Sequence, residues 1–151
     1  MRTLTLTGNN SGLNKLSAMI TDNGIGATTV VTSGSGTWVL TGTASAFSGG
    51  IQVLGGMLQF ATDSAMPANA VITFAGGVLQ YNAANTQMFL NRFSTQPGQA
   101  YAIDTNGLAL TFPTALTGAG NTFRKLGAGT LTLNAANTYT GDTTVAAGTL
   151  R

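Results

Sequence analysis

The feature that most constrains the fold is a short motif that occurs twice, 21 residues apart. "GGMLQF" occupies residues 55–60, and "GGVLQY" occupies residues 76–81. The same interval maps "LTF" at 110–112 onto "LTL" at 131–133. Self-similarity near 20 residues is typical of solenoid proteins, in which each turn buries its inner face against the next one. The interval therefore predicts a stacked fold.

Short alternating runs of strand length fill these intervals. They are rich in β-branched and aromatic residues and are separated by Gly, Asn and Ser. The clearest runs occupy residues 3–7, 37–41, 51–54, 71–74, 108–112 and 130–133. The run "LNKLSAMI" at 13–20 fits either a helical turn or a strand. Its short span favours a strand, with Leu16, Ala18 and Ile20 facing inward.

Together these patterns predict an all-β chain that forms a right-handed parallel β-helix (β-solenoid). We expect one domain over residues 1–151, with about 21 residues per turn and roughly seven turns. Phe60 should then stack over Tyr81, and Leu58 over Leu79, all facing inward. Gly and Asn should occupy the corners, where positive φ angles cost them least.

A longer repeat aligns residues 34–58 with residues 127–150, given one inserted residue before Phe47. The alignment matches Gly34 with Gly127, Gly36 with Gly129, Leu40 with Leu133, Phe47 with Tyr139, Val53 with Val145, Gly56 with Gly148 and Leu58 with Leu150. The shared positions are mostly Gly and apolar residues. They therefore describe corners and core positions of a structural repeat.

The second copy, "KLGAGTLTLNAANTYTGDTTVAAGTL" at 125–150, resembles the autotransporter-associated β-strand repeat. The residues that match are Lys125, Gly127, Gly129, Thr130, Leu131, Leu133, Asn137, Tyr139, Gly141, Thr144, Val145, Gly148 and Leu150. The first copy is less similar, with Phe47 for the Tyr and Ser33 on the Lys side. The resemblance implies a parallel β-helix in the passenger of a secreted or surface-bound bacterial protein. It implies no catalytic residues, because the motif supplies corners and core.

Composition narrows the chemistry that the chain can perform. Only 7% of residues are charged, against about 25% in typical domains. The chain lacks Glu, His and Cys, which excludes disulfides, Cys metal sites and His-dependent nucleophiles. Only two of the six basic residues are adjacent, Arg124 and Lys125, so no basic face for nucleic acid is expected. Neither a membrane span nor the apolar core of a secretion signal occurs in the sequence.

The four carboxylates are the candidates for acid–base chemistry. Asp22, Asp63, Asp104 and Asp142 are separated by 41, 41 and 38 residues, close to two turns each. They could line one edge at spacings of about 10 Å, which is wider than the carboxylate pairs of glycosidases. Each also lies in a turn sequence, where Asp caps corners. We favour the capping role and predict no catalytic, cofactor-binding or metal site.

Two other functions need exposed rows of particular side chains. Outward Thr residues in "TLTLTG" and "TLTLN" could order water, as in an ice-binding solenoid, but the pattern is clear only near each end. Trp38, Phe47, Tyr81 and Tyr139 could stack on sugars. However, Trp38 shares its parity with Leu40, and Phe47 and Tyr139 occupy equivalent corners, so core and corner roles are favoured.

We therefore expect a structural rod segment of a secreted or cell-surface bacterial protein, serving as a fibre, stalk or adhesin scaffold. The alternatives are a carbohydrate-active β-helix enzyme and an ice-binding solenoid. The expected partners are copies of the chain stacked end to end into filaments, or covalent neighbouring repeats. Open solenoid ends template further strand pairing, which motivates this expectation.

Overall fold

The computed structural model describes residues 1–85 and 89–151, and its regular secondary structure consists almost entirely of short strands. Within those residues the strands are β1 (Arg2–Leu6), β2 (Leu13–Leu16), β3 (Thr28–Thr32), β4 (Thr37–Leu40), β5 (Ile51–Val53), β6 (Met57–Phe60), β7 (Ile72–Phe74), β8 (Val78–Gln80), β9 (Ala100–Asp104), β10 (Ala109–Phe112), β11 (Thr122–Leu126), β12 (Thr130–Leu133), β13 (Thr143–Val145) and β14 (Thr149–Leu150). Two 3₁₀ turns, Asp63–Ala65 and Phe89–Arg92, complete the elements.

The strands pair in parallel to form three sheets. Sheet 1 has the order β1-β3-β5-β7, sheet 2 the order β13-β11-β9-β8-β6-β4-β2, and sheet 3 the order β10-β12-β14. Paired residues lie one turn apart: 21 residues from Ile51 to Ile72, 19 from Thr130 to Thr149, and 26 from Arg2 to Thr28. The predicted parallel β-helix is confirmed. Its seven rungs in sheet 2 span about six turns, or about 29 Å at the usual strand spacing.

Alternation along strands such as β1 determines which side chains enter the core. In β1, Leu6 is buried, whereas Thr3 and Thr5 are exposed. Residues 13–16 form strand β2, so the helical alternative for this run is wrong. Ile20 is buried and Leu16 packs against the core, as predicted. Ala18 is exposed, because the strand has already ended at Leu16.

The core consists of columns of side chains that stack from turn to turn. Leu58 pairs with Leu79, as predicted, and Leu79 pairs in turn with Ile103. All three side chains are fully buried. Phe60 and Tyr81 also point inward, and both rings contact Phe89, at centroid distances of 5.3 and 5.9 Å. A continuous apolar core therefore links the turns, and burying its surface stabilises them.

Corner residues adopt backbone angles that favour Gly. Gly127 has a φ of +75°, and a Cβ atom there would overlap the side chain of Asp104. Asn106 has a φ of +49° and begins the Asn106–Gly107 corner. Asn tolerates this region better than most residues with a Cβ. The predicted placement of Gly and Asn at corners is confirmed at these positions.

Candidate functional site

The four aspartates do not line one edge. In sheet 2, Asp63 follows strand β6, and Asp104 is the last residue of β9. Asp22 precedes β3 of sheet 1, and Asp142 precedes β13 of sheet 2. The one-edge arrangement considered from their spacing is therefore wrong, because the turns differ in length. Among residues 1–85 and 89–151, no group of three or more carboxylates or other metal-binding side chains lies together.

Asp22 ties one turn to the next. Its carboxylate accepts hydrogen bonds from the Thr28 amide at 2.7 Å and from the Ser48 hydroxyl at 2.6 Å. The Ser48 amide donates to the same carboxylate. The hydrogen bond from the Ser48 hydroxyl, followed by that from the Thr28 amide, holds the pKa of Asp22 below its usual value. Asp22 thus caps the entry to β3.

Asp104 ends a ladder of polar side chains on the outside of sheet 2. Gln59 donates to Gln80, and Gln80 donates to the Asp104 carboxylate at 2.8 Å. The other carboxylate oxygen accepts the Asn106 amide at 2.7 Å, which closes the corner turn. The predicted capping role is confirmed at Asp104, and the carboxylate also joins consecutive turns.

Lys125 is the most unusual side chain in the structure, because it points into the core. It stands in the inward column of sheet 2, in register with Ile103 on one side and Val145 on the other. The residue is completely buried. A buried ammonium is costly unless it is hydrogen-bonded.

The Lys125 ammonium meets this requirement at the sheet 2–sheet 3 corner. Its nitrogen lies within hydrogen-bond distance of the Thr105 hydroxyl (3.0 Å) and of the carbonyls of Leu126 (2.7 Å), Gly127 (2.8 Å) and Ala147 (3.1 Å). Its three N–H groups are shared among these four acceptors. The acceptors belong to three consecutive turns, so one side chain cross-links all three. Burial lowers the pKa of Lys125, and the charge of Asp104 acts in the opposite direction.

Sequence reasoning missed this role, although one signal was available. Lys125 has the same parity as Phe123, which is an inward position of β11. Counting back from the matched Gly34, the equivalent residue in the first repeat is Thr32, one residue before the Ser33 considered from the sequence. Thr32 is also buried, and its hydroxyl has no hydrogen-bond partner among the described residues. The polar corner is therefore fully developed only in the second repeat.

The candidate sugar-binding aromatics are not exposed as a platform. Phe47 and Tyr81 are each 2% exposed, so they belong to the core. Trp38 and Tyr139 are half-buried and pack against that core, the latter 6.1 Å from the Phe123 ring centroid. The favoured core and corner roles are confirmed for these residues.

The outward Thr residues form no long row. Thr3 of β1 pairs with Thr29, which is buried, and Thr5 pairs with Val31. At the other end, Thr111 pairs with Thr132. A flat array that repeats turn after turn is therefore not formed in these ladders, which disfavours the ice-binding alternative.

Both ends of the solenoid expose strand edges and apolar side chains. At the first end, an open cleft of about 460 Å³ is lined by residues that include Leu4, Leu16 and Met19. At the other end, Val145 is 47% exposed above Lys125, and Leu150 is half-buried. These surfaces are stronger candidates for contacts with other protein than the polar flanks are.

Known proteins resemble the chain in sequence. The family model described as passenger-associated-transport-repeat matches residues 30–60 and 123–151. The adhesin BmaC autotransporter of Brucella suis biovar 1 (strain 1330) is 39% identical over 128 residues, which cover 83% of this chain and 4% of the relative. The chain thus spans about one twenty-fifth of that curated relative. No solved structure matches it. No helix within residues 1–85 and 89–151 is long and apolar enough to cross a membrane.

Proposed function

We propose that the chain is a rod segment of a secreted or cell-surface bacterial protein, because residues 30–60 and 123–151 match the passenger-associated-transport-repeat family model. In this role it holds other parts of that protein away from the cell, as the scaffold of an adhesin. The relative in Brucella suis is named an adhesin, which supports this proposal.

The observation that carries the proposal is that polar side chains form hydrogen bonds between turns. Lys125 joins three turns, and Asp22 and Asp104 each bond to a neighbouring turn. Groups used in this way hold the stack together and are not free to act on a substrate. A rod that carries load between its ends needs this kind of connection.

Surface labelling tests the proposed location. Antibodies raised against the purified chain should label intact cells of the bacterium that encodes it, or its secreted fraction, and added protease should remove the cell-bound label. Labelling that appears only after the cells are lysed would contradict the proposal. A bacterial strain that lacks the encoding gene is the control for antibody specificity.

The absence of catalysis is a separate part of the proposal. It is supported by the dispersed positions of Asp22, Asp63, Asp104 and Asp142, since acid–base hydrolysis needs two positioned carboxylates. The test is a panel of polysaccharides, assayed with the wild-type chain and with each Asp→Asn variant. Turnover that one such substitution removes while the fold stays intact would overturn this part.

A second candidate function is end-to-end stacking of separate chains into a filament. It is favoured by sheet 2, whose terminal strands β2 and β13 each have only one neighbour among the described strands. Sedimentation and electron microscopy across a concentration series test it, with a Leu4→Pro, Leu150→Pro double variant as control. Wild-type chains that stay monomeric at high concentration, with both terminal rungs ordered, would contradict it.

A further inference from the structure

The two repeats occupy different faces of the solenoid. In residues 30–60, strand β3 lies in sheet 1, and β4, which follows its Gly corner, lies in sheet 2. In residues 123–151, the equivalent β11 lies in sheet 2 and β12 in sheet 3. The Gly corner has therefore moved from the edge between sheets 1 and 2 to the edge between sheets 2 and 3.

The shift takes place at β9. At its start Ala100 bridges to Ala75, and near its end Ile103 pairs with Leu79, so β9 lies beside residues on both sides of the preceding corner. It thus crosses the position of the corner above it. The Gln99 side chain accepts the Phe74 amide at 2.9 Å and so completes the ladder where the backbones diverge. The next corner appears only after Asp104.

The shift makes the two ends of the chain different. The first end presents β1 of sheet 1 and β2 of sheet 2, whereas the last end presents β13 of sheet 2 and β14 of sheet 3. Only sheet 2 is common to both ends. A second copy placed end to end would therefore continue one sheet and leave the edge of β14 without a strand.

The last end has free hydrogen-bonding groups in both of its sheets. Successive amides of a strand point to opposite edges. The Ala146 amide donates to the Lys125 carbonyl of the preceding turn, so the amides of Thr143 and Val145 point away from that turn. The Arg151 amide donates to the Leu131 carbonyl of the preceding turn, so the amide of Leu150 points away from that turn.

The corner at this end also specifies its neighbour. A Cβ atom on Gly129 would overlap the Leu108 carbonyl, and one on Gly148 would overlap the Gly129 carbonyl. Each new corner thus has to be Gly where it sits over the previous one. A partner turn needs the same feature above Gly148.

We propose that the last end of the chain is a docking surface for one more solenoid turn in the phase of the second repeat: a strand on β13, a Gly over Gly148, and a strand on β14. The partner's inward apolar side chains would cover Val145 and Leu150. This inference rests on the proposed rod function and adds which kind of turn the rod accepts.

The chain offers its own probe. Appending a second copy of residues 133–151 after Arg151 adds one turn with the 19-residue spacing of Thr130 and Thr149, and its first residue extends β14 to "TLRL". Two matched extensions serve as controls. One is the same segment with its copy of Gly148 changed to Val, and the other is residues 1–19, which begin the chain's opposite end.

Amide hydrogen exchange reports the result. The in-phase extension should slow exchange of the Thr143, Val145 and Leu150 amides at least about tenfold, because they gain acceptors. Neither control should do so. Unprotected amides in the in-phase extension, or equal protection by residues 1–19, would overturn the proposal. Small-angle scattering on the same samples separates the two levels: an elongated particle with exposed amides refutes only the docking phase, whereas a compact particle refutes the rod.

Discussion

Replacing Lys125 with Met should destabilise the chain by about 1–3 kcal/mol. Met keeps most of the buried stem and so leaves little cavity, but it removes the ammonium. The Leu126 carbonyl still accepts from the Thr105 amide at 3.1 Å. The Gly127 and Ala147 carbonyls lose the donor that Lys125 provides. Ala147 is exposed, so water replaces the donor there, whereas a buried acceptor without a donor costs about 1–3 kcal/mol. Removal of a buried charge offsets part of this loss.

Urea denaturation measures the effect, with Arg124→Met as the matched control. Arg124 is the preceding residue on the same strand, and its side chain is exposed, so its replacement should change the free energy of unfolding by no more than about 0.5 kcal/mol. If Lys125→Met were as stable as wild type or more stable, then the ammonium would not be the cross-link that its contacts suggest.

The pH dependence provides a second readout for the same variant. Because burial lowers the pKa of Lys125 from 10.5, the unfolded chain binds more protons between the folded-state pKa and 10.5. The free energy of unfolding therefore gains a component that rises with pH in that window. Burial raises the pKa of Tyr81 and of Tyr101, and these groups act with the opposite sign in both proteins. The difference between wild type and Lys125→Met isolates the lysine, and equal slopes would refute its lowered pKa.

Three other substitutions test the register, a corner and a cap. Leu79→Asp places a charge at a fully buried position and should unfold the chain, as measured by circular dichroism. The control Leu54→Asp, at a side chain that is 44% exposed, should fold; a Leu79→Asp variant that also folds would disprove the register. Gly127→Ala should lower the free energy of unfolding by at least about 1 kcal/mol more than Gly120→Ala, because both have positive φ but only a Cβ atom at Gly127 would overlap other atoms. Equal thermal stabilities of the two variants would contradict this. The stability that Asp22 provides should be present above its usual pKa of 3.8 and lost as pH falls through the lower folded-state pKa. Asp22→Asn should therefore lose less free energy of unfolding on acidification than wild type, as measured by urea titrations at several pH values. An unchanged pH profile would count against the cap.

The period of the fold was predictable because stacking forces each turn to repeat the last. The pairs Leu58 with Leu79 and Ile51 with Ile72 follow directly from the 21-residue interval. Alternation also identified the inward face of β1. These features depend on local patterns, which survive small changes in turn length.

Features that depend on the sum of several turn lengths were not predictable. The step from Leu79 to Ile103 is 24 residues rather than 21, which moved the corner. The burial of Lys125 depends on carbonyls from three turns meeting at one corner. Neither the motif nor the average properties of lysine indicate such a convergence.

The central claim is that the 21-residue interval between the two copies of the motif makes one turn, and disulfide pairing tests it most directly. Gln52 pairs with Thr73 in sheet 1, and Gln59 contacts Gln80 in sheet 2, each 21 residues apart. The chain has no Cys, and neighbouring parallel strands lie within the distance that a disulfide spans.

Four double-Cys variants use the same four positions. The pairs Gln52→Cys with Thr73→Cys and Gln59→Cys with Gln80→Cys should form intramolecular disulfides under mild oxidation, detected by mass spectrometry of peptides digested without reduction. The exchanged pairs, Gln52→Cys with Gln80→Cys and Gln59→Cys with Thr73→Cys, place the thiols on different sheets and should stay reduced. Equal disulfide yields in the matched and exchanged pairs would contradict the 21-residue turn.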